Sequence, residues 1–281
     1  NPTDFAVWKF SNPDEKRDME WSSPWGIGFP GWHLECSVMA REILGDQIDI
    51  HTGGIDHIPV HHTNEIAQTE AITAKNFSNF WVHANHIKVD GTKMSKSLGN
   101  IYTLQDILDK GYHIEAFKLL VLSKHYRTEG NFTWEILDDA QNVFNKFNAW
   151  SYLQFQNLKS ERLVNNFSGN NGAIASLKRF VLSDLDTPGA LSFIHGMVSR
   201  TEELGADSRS IAEATRVIEE LLGIRLAKDG DITSEQKQLI KDREAAREAK
   251  NWTKSDELRD KLLEQDIEVK DTPNGTIWSR T

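Results

Sequence analysis

Apolar residues along this chain fall into two regimes. Up to about residue 100, short runs such as Ile48-Asp-Ile50 and Ile87-Lys-Val89 stand beside helical patterns, in a background rich in Gly, Trp and His. That mixture predicts the later half of an α/β sheet domain. From about residue 101 onward the helical period dominates. Thr103-Leu-Gln-Asp106 predicts a capping box opening a short helix that Gly111 stops. Ile114 to Leu122 is strongly apolar, and Thr133 to about Leu158 has helical periodicity carrying several aromatics.

Residues 165–172 form a polar, glycine-containing stretch expected to be a loop. Helices are expected at about 173–185, 188–203 and 207–222. Pro188 stands in the first turn of the second, where its missing N–H costs least. Residues 228–234 predict a linker into a last unit. That unit carries helices near 235–250 and 254–265, then strands Ile267 to Lys270 and Thr276 to Ser279 around Pro273-Asn-Gly275. There is no internal repeat and no low-complexity tract.

The 281 residues suffice for roughly two domains of about 100–200 residues each. Hydrophobic residues at 38% can build a core, and a formal net charge of -10 argues against generic charge-driven nucleic-acid binding, though not against a local, shape-dependent RNA site. The single cysteine, Cys36, excludes an intrachain disulfide and fits a reducing compartment. No run approaches the 18 or so apolar residues of a membrane helix, and no secretory leader is evident. The opening Asn1 to Trp8 reads like mid-domain sequence, so a portion of a longer protein is expected.

Asp90-Gly-Thr-Lys-Met-Ser-Lys-Ser-Leu-Gly-Asn100 carries the most specific chemistry. Two lysines and two serines lie on a short segment between Gly91 and Gly99. Such a loop can close and bring two ammonium groups to the negative charge that builds up as a nucleotide triphosphate is split. The alternative for any Lys/Ser pentapeptide is a solvated basic turn. Lys93-Met94-Ser95-Lys96-Ser97, however, resembles the KMSKS motif of class I aminoacyl-tRNA synthetases letter for letter.

Cys36, in Gly31-Trp-His-Leu-Glu-Cys36, and His61 with Glu65, an i, i+4 pair, are competent zinc ligands. From spacing alone they are weak candidates. Such a pair is more often a solvated helix contact, a lone cysteine is more often core, and His33, His51, His57 and His62 are equally available. Ser23-Pro-Trp-Gly26, Pro30 to Ser37, His51-Thr-Gly-Gly-Ile-Asp56, His61 to Gln68 and the lysine loop occur in an order and spacing similar to cysteinyl-tRNA synthetases, and the resemblance extends through the last helix and strands.

That resemblance implies the second half of a Rossmann-type class I catalytic domain over 1–100, a helical stem-contact region over 101–158, a helical bundle over 159–227 and a small α+β anticodon-binding domain over 228–281. It implies one zinc ion bound by Cys36, His61 and Glu65, with a further cysteine from an N-terminal half that this chain lacks. Trp32 would lie against bound cysteine and Asp56 would face its α-amino group; without the resemblance, Trp32 is as readily a core aromatic. ATP, with Mg²⁺, would be met by Gly53, Gly54 and the loop Lys93, Met94, Ser95, Lys96 and Ser97, with Lys93 and Lys96 stabilising the departing pyrophosphate. Thiol and hydroxyl differ too little for a shape-based pocket to separate cysteine from serine, whereas a thiophilic metal separates them. The family's HIGH-type motif is absent here. Departures are His57-Ile-Pro-Val60, Thr63 and Phe29, none of them an implied ligand.

The eight basic residues from Lys237 to Lys261 are interleaved with six acidic ones, a pattern that composition alone assigns to a solvated helical face. Arg243-x-x-x-Arg247 through Arg259-Asp260, followed by Asp271 to Trp278, resembles the family's anticodon-binding tail, where Arg247, Trp252, Asp256, Arg259 and Asp271 would read the GCA anticodon. The implied protein is a cytoplasmic, monomeric enzyme acting on cysteine, ATP and tRNA-Cys, with no membrane partner. Two other readings are a mycothiol-pathway-type cysteine ligase, in which the tail has no purpose, and a non-catalytic tRNA-binding half of a split synthetase.

Overall fold

The computed structural model describes residues 5–14, 17–156, 172–204, 207–272 and 275–280. The chain divides into two compact units, Asn1–His86 with Tyr126–Thr128, and Ile87–His125 with Glu129–Thr281.

The first unit opens with β1 (Trp8–Phe10), β2 (Trp21–Ser23) and β3 (Gly26–Pro30), which form an antiparallel sheet in the order β1-β3-β2. Helix α1 (Trp32–Leu44) follows and stops at Gly45, whose φ of 96° suits glycine. Strand β4 (Ile48–Gly54) then runs through a 3-10 turn, Ile55–His57, and a π-helical turn, Ile58–His62, into α2 (Thr63–Thr73) and β5 (Ser78–Ala84). β4 and β5 pair in parallel, from Ile48↔Ser78 to Gly54↔Ala84. This is a βαβ crossover, and the ends of both strands open toward the segment that follows β4. The interior is unusual. Among the described residues of this unit the buried hydrophobic side chains are Ile48 and Phe77, while Ser37, His61, His62, Glu65, Thr69 and Ser78 are buried polar groups. The cross-strand pair Ile50 and Phe80 is exposed.

The second unit begins with β6 (Ile87–Val89), the loop 90–100, α3 (Leu104–Asp109), α4 (Ile114–Leu122) and β7 (Gly130–Phe132), which pairs in parallel with β6. The expected capping box is present: Asp106 N–H donates to Thr103 Oγ1 at 3.2 Å and Thr103 N–H to Asp106 Oδ2 at 2.6 Å. Helix α5 (Trp134–Ser151) is shorter than its periodicity suggests. The chain tightens into a 3-10 turn at Tyr152–Phe155, where Tyr152 and Phe155 pack on Trp278, and 157–158 lie outside the described residues.

Helices α6 (Ala173–Leu182), α7 (Thr187–Leu204) and α8 (Ser208–Leu222) complete a bundle whose core runs from Val89 through Leu137, Phe147 and Ile194 to Ile218 and Ile224. α6 ends earlier than expected because Asp184 and Leu185 both turn to φ 55°, feeding the Asp186 cap of α7. The loop expected at 165–172 lies, except for Gly172, outside the described residues.

The last part comprises α9 (Ser234–Glu248), α10 (Trp252–Leu263) and the antiparallel hairpin of β8 (Ile267–Thr272) and β9 (Gly275–Arg280), with the expected turn residues 273–274 outside the described set. Tyr152, Ile240, Leu262, Ile267 and Trp278 form its core. Buried Gln156 closes it: its Nε2 donates to Tyr152 O at 3.1 Å and Trp278 O at 2.7 Å, its Oε1 accepts from Trp278 N–H at 3.0 Å, and its carbonyl accepts from Ser208 Oγ at 3.0 Å. No helix among the described residues is long and apolar enough to cross a membrane.

Candidate functional site

In the first unit, the π turn and α2 run on continuously, so His61 and Glu65 share one helical face, His61 from the π turn and Glu65 from α2. α1 packs alongside and supplies Cys36; Ser37 Oγ donates to Gln68 Oε1 at 2.8 Å across the two helices. Ligand atoms of Cys36, His61 and Glu65 all lie within 4.8 Å of one another, and the same holds for His51, His62 and Glu65. Glu65 is the shared centre. It is fully buried; its Oε2 pairs with His51 Nε2 at 2.9 Å and lies 3.7 Å from His61 Nε2 and 3.8 Å from His62 Nε2, while its Oε1 has no hydrogen-bond partner among the described residues. Beyond these, His33 Nδ1 meets His61 Nδ1 at 2.7 Å and His62 Nδ1 meets His83 Nε2 at 2.8 Å.

The electrostatics define what such a cluster can hold. Burial keeps His61 and His83 below the usual imidazole range, and burial with neighbouring imidazoles takes His62 down to about 4, so these rings are neutral near pH 7. Burial, with the charges of Glu65 and Glu35, pushes the Cys36 thiol up. A buried carboxylate with an orphaned oxygen, neutral imidazoles and a thiol that these surroundings keep protonated together lack a cation. The donor set, one sulfur, one nitrogen and one carboxylate, suits zinc.

Trp32 is 56% exposed, so it is not a core aromatic; its ring lies 4.3 Å from that of His61, over the cluster. Asp56 stands just past the end of β4, exposed, with Oδ1 3.3 Å from His86 Nε2. Gly53 and Gly54 close the strand. A Cβ on Gly53 would stand 2.6 Å from His62 Cε1 and 2.9 Å from His57 Nδ1, and one on Gly54 2.4 Å from Asp56 Oδ1. In this structure the two glycines make room for these side chains.

The lysine loop belongs to the second unit. Gly91 and Gly99 take φ of 70° and 64°. Asn131 Oδ1 accepts the Gly91 N–H at 2.8 Å, and Ser95 Oγ caps the 3-10 turn Lys96–Leu98. Asn100 clips the loop: its Oδ1 accepts from Ser95 N–H, and its Nδ2 donates to Lys93 O and Thr92 Oγ1, both at 3.2 Å. Lys93, Met94, Lys96 and Ser97 are exposed, Ser95 is half-buried, and neither lysine ammonium has a partner among the described residues. Neither Asn100 nor Asn131 stands out in the sequence, although Asn100 lies three residues after Ser97, the end of the motif.

At the far end of the second unit, Arg247, Trp252 and Asp271 come together. Arg247 Nη2 lies 3.2 Å from Asp271 Oδ2, and its guanidinium lies 5.6 Å from the centre of the Trp252 ring, which is 56% exposed. Asp256 and Arg259 pair with each other at 3.5 Å on α10. Buried Arg243 grips Asp271 through both nitrogens at 2.8 Å, and Thr276 donates to Asp271 Oδ1 at 3.1 Å.

Residues 1–142, half of the chain, match the tRNA synthetases class I (C) catalytic domain. With the parallel βαβ unit and the lysine loop, that match defines the class as a class I tRNA synthetase. A solved LeuRS–tRNA–LeuAMS complex from Agrobacterium radiobacter K84 shares the fold, with a TM-score of 0.53 at 15% identity over 73% of this chain and 32% of that one. Residues 229–278 match the cysteinyl-tRNA ligase anticodon binding domain. Cysteine–tRNA ligases of Chlamydia pneumoniae and Finegoldia magna are each 38% identical to the chain, over 98% and 100% of it and 60% and 62% of their own lengths. The chain belongs to the cysteinyl-tRNA ligase family, and spans about three fifths of the length of these relatives.

Proposed function

We propose that this chain is part of an enzyme that activates cysteine with ATP and transfers it to tRNA-Cys. The observation that carries this reading is Glu65: a fully buried carboxylate with one unpartnered oxygen, converging with Cys36 and His61. Cys36, His61 and Glu65 would hold a zinc ion, and His51 orients Glu65 from behind. Zinc bound there supplies a soft Lewis acid that accepts a thiolate in preference to a hydroxyl.

This chain's residues then have distinct tasks. Trp32 walls the amino acid beside the cluster, and Asp56 receives its ammonium group. Gly53 and Gly54, at the end of β4, would let the strand's backbone approach the nucleotide closely. The cysteine carboxylate attacks the α-phosphorus of ATP, a new P–O bond forms to give cysteinyl-adenylate, and the bond to the bridging oxygen breaks as Mg²⁺-bound pyrophosphate leaves. Lys93 and Lys96, with no competing acidic partners among the described residues, neutralise that leaving charge, while Met94, Ser95 and Ser97 shape the loop around the nucleotide. Arg247, Trp252, Asp256, Arg259 and Asp271 form the anticodon-facing surface, Trp252 as a stacking platform and the charged groups as base-edge partners.

Further polypeptide supplying the rest of the catalytic domain and a fourth, cysteine ligand would cover the exposed Ile50 and Phe80 of the β4–β5 pair. The assembled enzyme works as a monomer in the cytoplasm. Residues 101–158 would contact the acceptor stem, and 159–227 would space it from the anticodon domain. The test is aminoacylation by the complete enzyme: charging of tRNA-Cys with cysteine and not serine is expected. Adenylate formation followed by transfer to an amino sugar instead of tRNA would establish the sugar-ligase alternative.

A further inference from the structure

The carboxylate of Asp271 sits in a cage. Both of its oxygens are held by Arg243, Nη1 to Oδ1 and Nη2 to Oδ2, each at 2.8 Å, in the parallel fork geometry that only a guanidinium provides. Thr276 Oγ1, from the facing strand β9, donates to Oδ1 at 3.1 Å, and Arg247 Nη2 lies 3.2 Å from Oδ2. Arg243 is itself only 4% exposed, a cation that burial would penalise heavily without this partner, and its Nε has no hydrogen-bond partner among the described residues. Asp271 is 37% exposed, so one side of the cage opens to solvent.

The consequence runs along the chain of contacts. Arg243 on α9 fixes the Asp271 carboxylate on β8; Asp271 draws in Arg247, one helical turn beyond Arg243; Arg247 extends over the Trp252 ring at the start of α10. A long arginine side chain on a helix surface samples many rotamers, and ordering it costs entropy at the moment of binding. Here that ordering is in place before any ligand arrives.

We infer that Arg243 is a positioning residue for anticodon recognition: it touches no base, but through Asp271 it presets Arg247 and Trp252 as one rigid reading surface for a single-stranded RNA loop. This deepens the proposed anticodon reading and rests on it. The arrangement also explains why a domain with so many exposed lysines and glutamates reserves one buried ion pair for this location. Substituting lysine keeps the charge and loses the fork, so Asp271 would be held at one oxygen and Arg247 would be released.

The test uses this chain, with dissociation constants measured for tRNA-Cys and for the same tRNA with an altered anticodon. Wild type is expected to prefer the GCA anticodon. Arg243→Lys is expected to reduce the ratio of the two constants about tenfold, the worth of one charge-assisted hydrogen bond, while binding of the altered tRNA stays unchanged. Thr276→Val, which leaves the Arg243 fork intact, serves where the lysine variant folds poorly; it is expected to lower the ratio by a smaller factor. NMR titration of Asp271 in Arg243→Lys is expected to show its carboxyl back toward the ordinary range. A preference kept at the wild-type ratio in folded Arg243→Lys and in Thr276→Val, or an equal weakening of both tRNAs, overturns the positioning role. Absence of any preference in wild type overturns the anticodon reading with it.

Discussion

Asn100 holds Ser95 in place: its side-chain Oδ1 accepts the backbone N–H of Ser95, the middle residue of the Lys-Met-Ser-Lys-Ser turn, at 2.9 Å. The same amide donates to the Lys93 carbonyl, so a single side chain sets the backbone from which both lysines project. Asn100→Ala in the complete enzyme is expected to lower cysteine-dependent pyrophosphate exchange by about ten- to 100-fold, as expected for mispositioned charge, with cysteine affinity unchanged. A loss confined to cysteine affinity would show that the loop serves the amino acid and not the phosphates.

Removing the buried carboxylate tests the metal centre. Glu65→Gln keeps the volume and removes the charge that three imidazoles surround. Metal analysis after dialysis is expected to show zinc affinity at least about 100-fold weaker, with Cys36→Ala and His61→Ala behaving alike. Unchanged zinc content in Glu65→Gln would exclude Glu65 as a ligand.

Gly53 and Gly196 are expected to respond to alanine with opposite signs. A Cβ at Gly53 would collide with His62 and His57 ring atoms at 2.6–2.9 Å, whereas Gly196, inside α7, has open space around it. Thermal unfolding should show Gly53→Ala destabilised by about 1–3 kcal/mol and Gly196→Ala stabilised by about 0.5–1 kcal/mol.

The Asp271 cage makes the anticodon domain acid-sensitive. Hydrogen bonds from Arg243 hold the Asp271 carboxyl at about 2, below the usual carboxylate range. A group whose folded pKa is depressed stabilises fully above its unfolded pKa and loses that contribution as pH falls through the folded value. The loss therefore falls between about pH 4 and pH 2. After discounting for solvent screening at a side chain 37% exposed, the contribution is about 1 kcal/mol. Urea unfolding should show Asp271→Asn lowering stability at pH 7 by at least this amount, because Arg243 is left buried without its counter-charge, and by little at pH 2.

Trp252→Ala is expected to weaken tRNA-Cys binding by about 1–3 kcal/mol, the value of one base–aromatic stack, while adenylate formation in the complete enzyme is unaffected. Equal losses in both assays would contradict the separation of tasks between the two ends of the chain.

Features that depend on near neighbours were legible in the sequence. The Thr103–Asp106 box, α4, Pro188 in the first turn of α7 and the terminal hairpin each rest on contacts a few residues apart. Helix ends were less so. α5 stops at Ser151 because Tyr152 and Phe155 are needed against Trp278, more than 120 residues away, and no local pattern records that need. The cluster around Glu65 shows the same limit. Spacing offered four further histidines as equals of His61; only the packing of α1 on α2 shows Cys36, His61 and Glu65 converging, with His51 and His62 forming a second group on the same carboxylate. Arg243 was one cation among eight in a mixed-charge segment, and its burial depends on β8, which arrives later in the chain.

Gln156 carries a consequence for how the chain comes apart. One amide is hydrogen-bonded to the 3-10 turn after α5 and to both the N–H and C=O of Trp278 in the last strand, while its own carbonyl receives the first residue of α8. The terminal hairpin is therefore tied to the bundle by Gln156 together with Tyr152 and Phe155 packed on Trp278. Heat or protease should free neither part separately: hairpin and bundle melt in one transition, and shortening the chain before Trp278 would undo the bundle's base along with the hairpin.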